Sequence, residues 1–150
     1  MTITLLCHAE GERLAALPRE PGPGGTVLSA SQPAAVATAQ RLFPDRRIEV
    51  KTLYGEPDLG PPFSRFRTLN LLLWMLFPRR GGEAAEAARR RVVDTSIRLI
   101  AVAKEHEAAV LVAGPVLLRL LAFKLNAIGF TGGFITGFRP GERRVYRYQA

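Results

Sequence analysis

Two side chains in this sequence offer group-transfer or proton-transfer chemistry if the fold brings them together. His8 closes the first apolar run, Ile3-Thr4-Leu5-Leu6-Cys7, and offers an imidazole as nucleophile or base. Glu56 follows Gly55 in a Gly/Pro loop and offers a carboxyl group as proton donor. The chain has two histidines, His8 and His106, and one cysteine, Cys7. That inventory excludes a disulfide framework and a multi-cysteine zinc site, and leaves little for a His-rich metal centre, so no metal and no cofactor are expected. Cys7 adjoins His8, but neighbours on a strand point to opposite faces, so a buried and inert thiol is expected there. His106, between Glu105 and Glu107 at a helix end, suits that end of the helix dipole and is expected to be structural.

Elements of both kinds must position these groups. Ile3–Cys7 lacks helical spacing and is a buried strand by its length and its loop flanks. Pro18–Gly25 (PREPGPGG) is a surface loop. Thr26-Val27-Leu28 is a short strand, and Ala34–Phe43 a helix that Pro33 can open and Pro44 stops. Ile48–Tyr54 alternates as a strand does. Glu83–Glu107 is the clearest helix, with acids in its first turn and a stripe at Val93, Ile97, Ile100, Ala101 and Lys104. Val110–Ala113 is a strand, Val116–Ile128 an apolar helix, and Phe134–Phe138 and Arg144–Tyr148 are closing strands. Strands alternating with helices predict a three-layer α/β sandwich, a mostly parallel central sheet with helices on both faces. Its core is expected to include Leu5, Val36, Ile97, Ile100, Leu111, Val112 and Leu120. At 150 residues, 47% of them hydrophobic, the chain suits one domain spanning residues 1–150 and can bury a core without staples.

Open α/β sheets bind ligands beyond the carboxyl ends of their strands. Those ends are Cys7-His8-Ala9-Glu10, Ser29-Ala30-Ser31, Gly55-Glu56 and Ala113-Gly114-Pro115. The expectation is a single cleft lined by His8, Glu56 and the turn at Ala113–Pro115.

The order of these pieces resembles the histidine phosphatase superfamily, the phosphoglycerate mutase-like proteins. Leu5-Leu6-Cys7-His8-Ala9-Glu10-Gly11 stands where that family has its strand and Arg-His-Gly motif. Ser29–Gln40 (SASQPAAVATAQ) resembles its Ser-rich turn and Arg-Ala-x-x-Thr-Ala helix. Leu53–Gly60 is similar to its Leu-x-Glu segment, with one residue extra before Glu56, and Val110–Arg119 resembles the strand that ends in His-Gly. The resemblance runs through nearly the whole chain in order. It implies the phosphoglycerate mutase-like fold, a phosphoryl-accepting role for His8 and an acid role for Glu56. It also shows losses, because the two arginines and second histidine that clamp the phosphoryl oxygens are replaced by Cys7, Ala34 (or Pro33, one register away) and Gly114. An arginine facing a transferring phosphoryl group is worth about a thousandfold or more in rate.

Two functions follow from the resemblance. One is a divergent binding or regulatory protein with weak or no phosphatase activity, holding a small phosphorylated or other anionic ligand near His8. The other is an active phosphomonoesterase with a phospho-His8 intermediate and relocated arginines, for which Arg13, Arg65 and Arg67 are candidates. Candidate ligand-binding residues are Arg13, just after the first motif, Ser29 and Ser31, which cap the following helix or face an anion, and Gly114.

Charge and apolar runs bound the partners. The net charge is +8, and 18 of the 21 basic residues are arginine, in clusters scattered along the chain rather than grouped on one element. That distribution predicts solvated faces, not a nucleic-acid surface. Leu69–Phe77 (LNLLLWMLF) is far shorter than the ~20 residues a bilayer span needs. With apolar residues all round except Asn70, it is expected to form a homodimer contact through Leu69, Leu72, Trp74, Met75 and Phe77, with complete burial, as in a lid over the cleft, or a membrane-surface contact as the other fates. The first residues carry no basic leader and no small-residue cleavage site, which predicts a cytoplasmic protein.

Overall fold

Burial on both faces makes the first apolar run a central strand: Ile3, Leu5, Leu6 and Cys7 are all 1% exposed or less. The computed structural model describes residues 1–20, 22, 24–57, 85–132 and 136–149. Its elements are β1 (Thr2–Cys7), α1 (Gly11–Ala16), β2 (Val27–Ala30), α2 (Pro33–Leu42), β3 (Ile48–Lys51) and a 3-10 turn (Thr52–Tyr54). They continue with α3 (Ala85–His106), β4 (Ala108–Ala113), α4 (Pro115–Ala127), β5 (Phe130–Thr131) and β6 (Arg143–Tyr148).

The sheet has six strands in the order β3-β2-β4-β1-β6-β5. β1 through β4 are mutually parallel, with Leu5 beside Leu111 and Leu28 beside Leu111 on its other flank. β6 runs antiparallel to β1, and β5 antiparallel to β6. This is the mostly parallel α/β sheet expected from the sequence. The connection β2–α2–β3 steps toward one edge and β3–α3–β4 steps back, so right-handed crossovers put α2 and α3 on opposite faces. The chain leaving β1 goes one way across the sheet and the chain leaving β4 goes the other, although the two strands are neighbours. Their carboxyl ends therefore flank a topological switch point, where α/β sheets open a crevice.

Several local expectations are corrected. α3 does not bury the stripe at Val93, Ile97, Ile100, Ala101 and Lys104. Its inner face is Ala88, Val92, Thr95, Ser96, Leu99, Val102 and Ala103, while Val93 is 38% and Ile97 61% exposed. Both sets recur at helical spacing, and the sheet selects the one with small residues, which lets the helix axis approach closely. Of the expected core, Leu5, Leu111 and Val112 are fully buried, Val36 is half-buried, and Ile100 and Leu120 pack partly buried against the core. α2 starts at Pro33 with Gln32 as its cap residue and no side-chain capping bond, so neither Ser29 nor Ser31 caps it. Residues 136–138 form no strand, and the strand after α4 is the two-residue β5. β3 ends at Lys51 because Thr52–Tyr54 turns to bury the Tyr54 ring. The run 69–77 with its homodimer contact, and Arg65 and Arg67, lie outside the described residues.

Candidate active site

The carboxyl ends of β1 and β4 are tied together just where the switch point opens. The His8 amide donates to the Ala113 carbonyl at 3.1 Å, extending the β1–β4 ladder by one residue. Beyond it lies a cleft of about 490 Å³ lined by Cys7, His8, Ala9, Glu10, Arg13, Pro115, Phe138 and Pro140. The imidazole of His8 is half-buried there. Burial lowers its pKa from the ordinary value of 6.5, with the negative charge of Glu10 and a backbone hydrogen bond pulling the other way. At neutral pH the ring is therefore uncharged and keeps a lone pair, as a nucleophile requires.

Two neighbouring elements besides β4 hold His8 in place. From α2, the buried Thr38 hydroxyl accepts the Ala9 amide at 3.0 Å and sits 2.7 Å from the Ala34 carbonyl and 3.2 Å from that of Ala9. From the turn before β6, the Cys7 amide donates to the Glu142 carbonyl at 2.9 Å and the Gly141 amide donates to the Cys7 carbonyl at 3.0 Å. That turn is itself braced by Arg144, which donates to the carbonyls of Thr136 (2.7 Å) and Gly137 (2.6 Å) and pairs with the Glu142 carboxylate. Its guanidinium lies 4.0 Å from the centre of the Phe138 ring, which forms the apolar wall of the cleft. Such stacking is worth ~0.5–2 kcal/mol. Motif reading catches Thr38 only as part of Thr38-Ala39-Gln40, and gives Arg144 and Phe138 no signal.

Glu56 approaches the same β4–α4 turn without lining the His8 cleft. One carboxylate oxygen accepts the Leu117 amide at 2.6 Å, and the Val116 amide also donates to the carboxylate. These are the second and third residues of α4, so the carboxylate caps that helix from a distant part of the chain and opposes its dipole. Burial raises the Glu56 pKa from its ordinary 4.5, with the two amides and the charge of Arg91 acting against the shift.

An α3 clamp delivers this segment. Arg91 donates to the Gly55 carbonyl at 3.0 Å. Two turns further along α3, Arg98 grips Glu49 with two bonds of 2.9 and 3.2 Å, and Glu49 accepts the Tyr54 hydroxyl at 2.7 Å. The Arg98 bond holds the Glu49 carboxyl below its ordinary range, and burial together with Glu49 raises the Tyr54 phenol.

The candidate residues thus separate. His8 and Arg13 share the cleft, and Gly114, fully buried, lies between the cleft wall at Pro115 and the Glu56 carboxylate. Ser29 is 0% exposed, with its hydroxyl donating to the Ala30 carbonyl at 2.9 Å, and so has no access to a ligand. Ser31 is exposed beyond β2. Cys7 is 1% exposed. His106 lies 3.7 Å from Glu105 at the end of α3 and is not among the residues that line the cleft. Among the described residues no cluster of three or more His, Cys, Asp or Glu side chains is placed to hold a metal ion, and no helix is long and apolar enough to cross a membrane.

The chain has the phosphoglycerate mutase-like α/β fold, a mixed six-stranded sheet that is mostly parallel. Solved structures of that fold align over almost its full length. The alpha-ribazole phosphatase of Shigella flexneri matches with a TM-score of 0.62 at 17% identity, covering 97% of this chain and 89% of that one. The mycobacterial glucosyl-3-phosphoglycerate phosphatase matches at 0.63 and 15%, covering 96% and 88%. The product of the open reading frame Rv3214 of Mycobacterium tuberculosis matches at 0.65 and 12%, covering 99% and 91%. No protein-family model and no curated protein sequence matches the chain.

Proposed function

We propose that this protein is a divergent histidine phosphatase-like protein that binds a small phosphorylated or other anionic ligand beside His8 and hydrolyses phosphomonoesters weakly or not at all. The observation that carries this reading is the charge of the cleft. Arg13 is the one cationic side chain among the described residues that line it, and Glu10 offsets that charge. A transferring phosphoryl group spreads negative charge over three equatorial oxygens and is stabilised by several fixed positive donors. Here the positions that the family resemblance assigns to those donors carry Cys7, Ala34 and Gly114. A neutral imidazole with a single guanidinium suits holding an anion better than cleaving its ester.

The alternative, an active phosphomonoesterase, is favoured by Arg13 standing in the same cleft as His8 and by the raised pKa of Glu56. In that reaction the His8 imidazole nitrogen attacks phosphorus and the ester P–O bond breaks. Glu56 gives its proton to the leaving oxygen, and water then releases phosphate from the phosphohistidine. Glu56 would have to reach the cleft from the α4 terminus that it caps.

A phosphomonoester hydrolysis assay on wild type beside His8→Ala, with phosphate titrated into ¹⁵N-labelled wild type and Arg13→Ala, separates the two. The binding reading expects turnover far below ~1 per second and phosphate-dependent shifts at His8–Arg13 that Arg13→Ala weakens. Turnover of about 1 to 1,000 per second, abolished by His8→Ala, establishes the enzyme instead.

A further inference from the structure

The Glu56 carboxylate occupies the space that any side chain at residue 114 needs. A Cβ placed on Gly114 would meet the Glu56 carboxyl carbon at 2.6 Å and its Oε2 closer still, far inside van der Waals contact. Gly114 has φ −80° and ψ 163°, which every residue type adopts, so its backbone does not call for glycine. The obstacle is the end of a flexible side chain 58 positions earlier, so an added Cβ would have to move the carboxylate off the Leu117 and Val116 amides that hold it.

A second constraint acts from α3. Arg91 holds the Gly55 carbonyl at 3.0 Å, the peptide that leads into Glu56, and its positive charge acts on the carboxylate. Gly55 also packs closely, because a Cβ there would meet the Thr52 carbonyl oxygen at 2.9 Å and the Arg91 Nη1 at 3.5 Å. The carboxylate thus bonds to the first turn of α4 while Arg91 fixes the peptide before it, and the missing side chain at 114 leaves it room.

We propose that Gly114 and Arg91 are positioning residues for Glu56, and that a side chain at 114 and a Glu56 carboxylate seated on the first turn of α4 exclude each other. Position 114 acts by being empty. Arg91 acts by fixing the peptide before the carboxylate. The inference rests on reading Glu56 as the acid of the site, but the coupling between the three residues is independent of turnover. A silent phosphatase assay therefore leaves its test intact.

The test is a double-mutant cycle read by thermal unfolding, together with an NMR titration of the Glu56 side-chain carboxyl carbon. Gly114→Ala alone is expected to lower Tm by more than about 4 °C, and to move the Glu56 titration toward the ordinary carboxyl range as the group is expelled to solvent. The Leu117 amide resonance moves with it as its bond to the carboxylate is lost. In the Glu56→Ala background the space is free, and Gly114→Ala is expected to change Tm by less than about 2 °C. Arg91→Met is expected to raise the Glu56 titration midpoint, and Arg91→Lys to return it part of the way. If Gly114→Ala alone yields no folded protein, the double variant decides, since it must fold and melt within about 2 °C of Glu56→Ala. Additive Tm changes, an unfolded double variant, or a Glu56 midpoint that neither Gly114→Ala nor Arg91→Met moves overturns the proposal. An Arg91→Met protein that is less stable with an unmoved midpoint assigns Arg91 a purely structural role.

Discussion

The Thr38 hydroxyl accepts the Ala9 amide at 3.0 Å, joining α2 to the residue after His8 across 29 positions of sequence. Both groups are buried, so this bond has no water to replace it. It is the contact through which the layer on one face of the sheet sets the exit of β1.

Thr38→Val keeps the shape and removes the acceptor, leaving the Ala9 amide buried and unpaired. A loss of about 1–3 kcal/mol is expected. Urea unfolding measures it, and the His8 ring resonances are expected to move while those of His106 stay in place.

The lowered His8 pKa makes stability depend on pH with a definite sign. The unfolded chain titrates near the ordinary 6.5 and the folded chain below it, so the unfolded state binds more protons between the two values. Wild type is therefore expected to lose stability relative to His8→Gln as pH falls through 6.5 toward the folded value, and to lose nothing further below it. Denaturation of both proteins at a series of pH values checks the difference. A gap that widens in favour of wild type on acidification contradicts the burial of the imidazole.

Gly114→His is not expected to create phosphatase activity. The Glu56 carboxyl carbon lies 2.6 Å from where the first side-chain atom must go, so the new imidazole displaces the carboxylate or is itself turned away. Steady-state assays of Gly114→His and Glu56→Ala/Gly114→His are both expected to stay at the wild-type level. A gain confined to the double variant identifies the steric conflict as what keeps a histidine from working there.

The two stripes of α3 predict opposite outcomes for residues two positions apart. Ile97 is 61% exposed, and Ile97→Lys is expected to change stability by about 0.5 kcal/mol or less. Leu99 is fully buried in the core cluster, and Leu99→Ala is expected to cost about 2–5 kcal/mol. Chemical denaturation of the two variants decides which stripe faces the sheet.

The fold was legible because its signals are local. Apolar runs bounded by Pro and Gly mark β1, β4, α2 and α4 to within one or two residues, and alternation of strand and helix implies the layers. The cleft was legible at His8 because a strand end in a parallel sheet is a place that topology selects. The long-range partners were not legible. Nothing near Glu56 in sequence says that its carboxylate will cap α4, because that depends on an empty position 58 residues away and on Arg91 in a third element. The inner face of α3 is not legible in the sequence for a related reason. Hydropathy ranks Ile97 above Thr95 or Ser96, whereas the sheet ranks by fit, and fit is a property of the assembled layers.

The rim of the sheet beyond β6 has a consequence for how copies of this chain meet at high concentration. β5 pairs with β6 only at Phe130–Tyr148 and Thr131–Arg147, so the start of β6 has no strand partner on its outer side among the described residues. Unpaired rims of this kind template strand addition from another molecule. Here the Arg144 guanidinium bonds to the carbonyls of Thr136 and Gly137 and ties them to that stretch, while Arg143 at its start is paired with Glu20. A substitution that removes the Arg144 guanidinium is therefore expected to free residues 136 and 137 from this stretch and to leave the rim more open to strand addition.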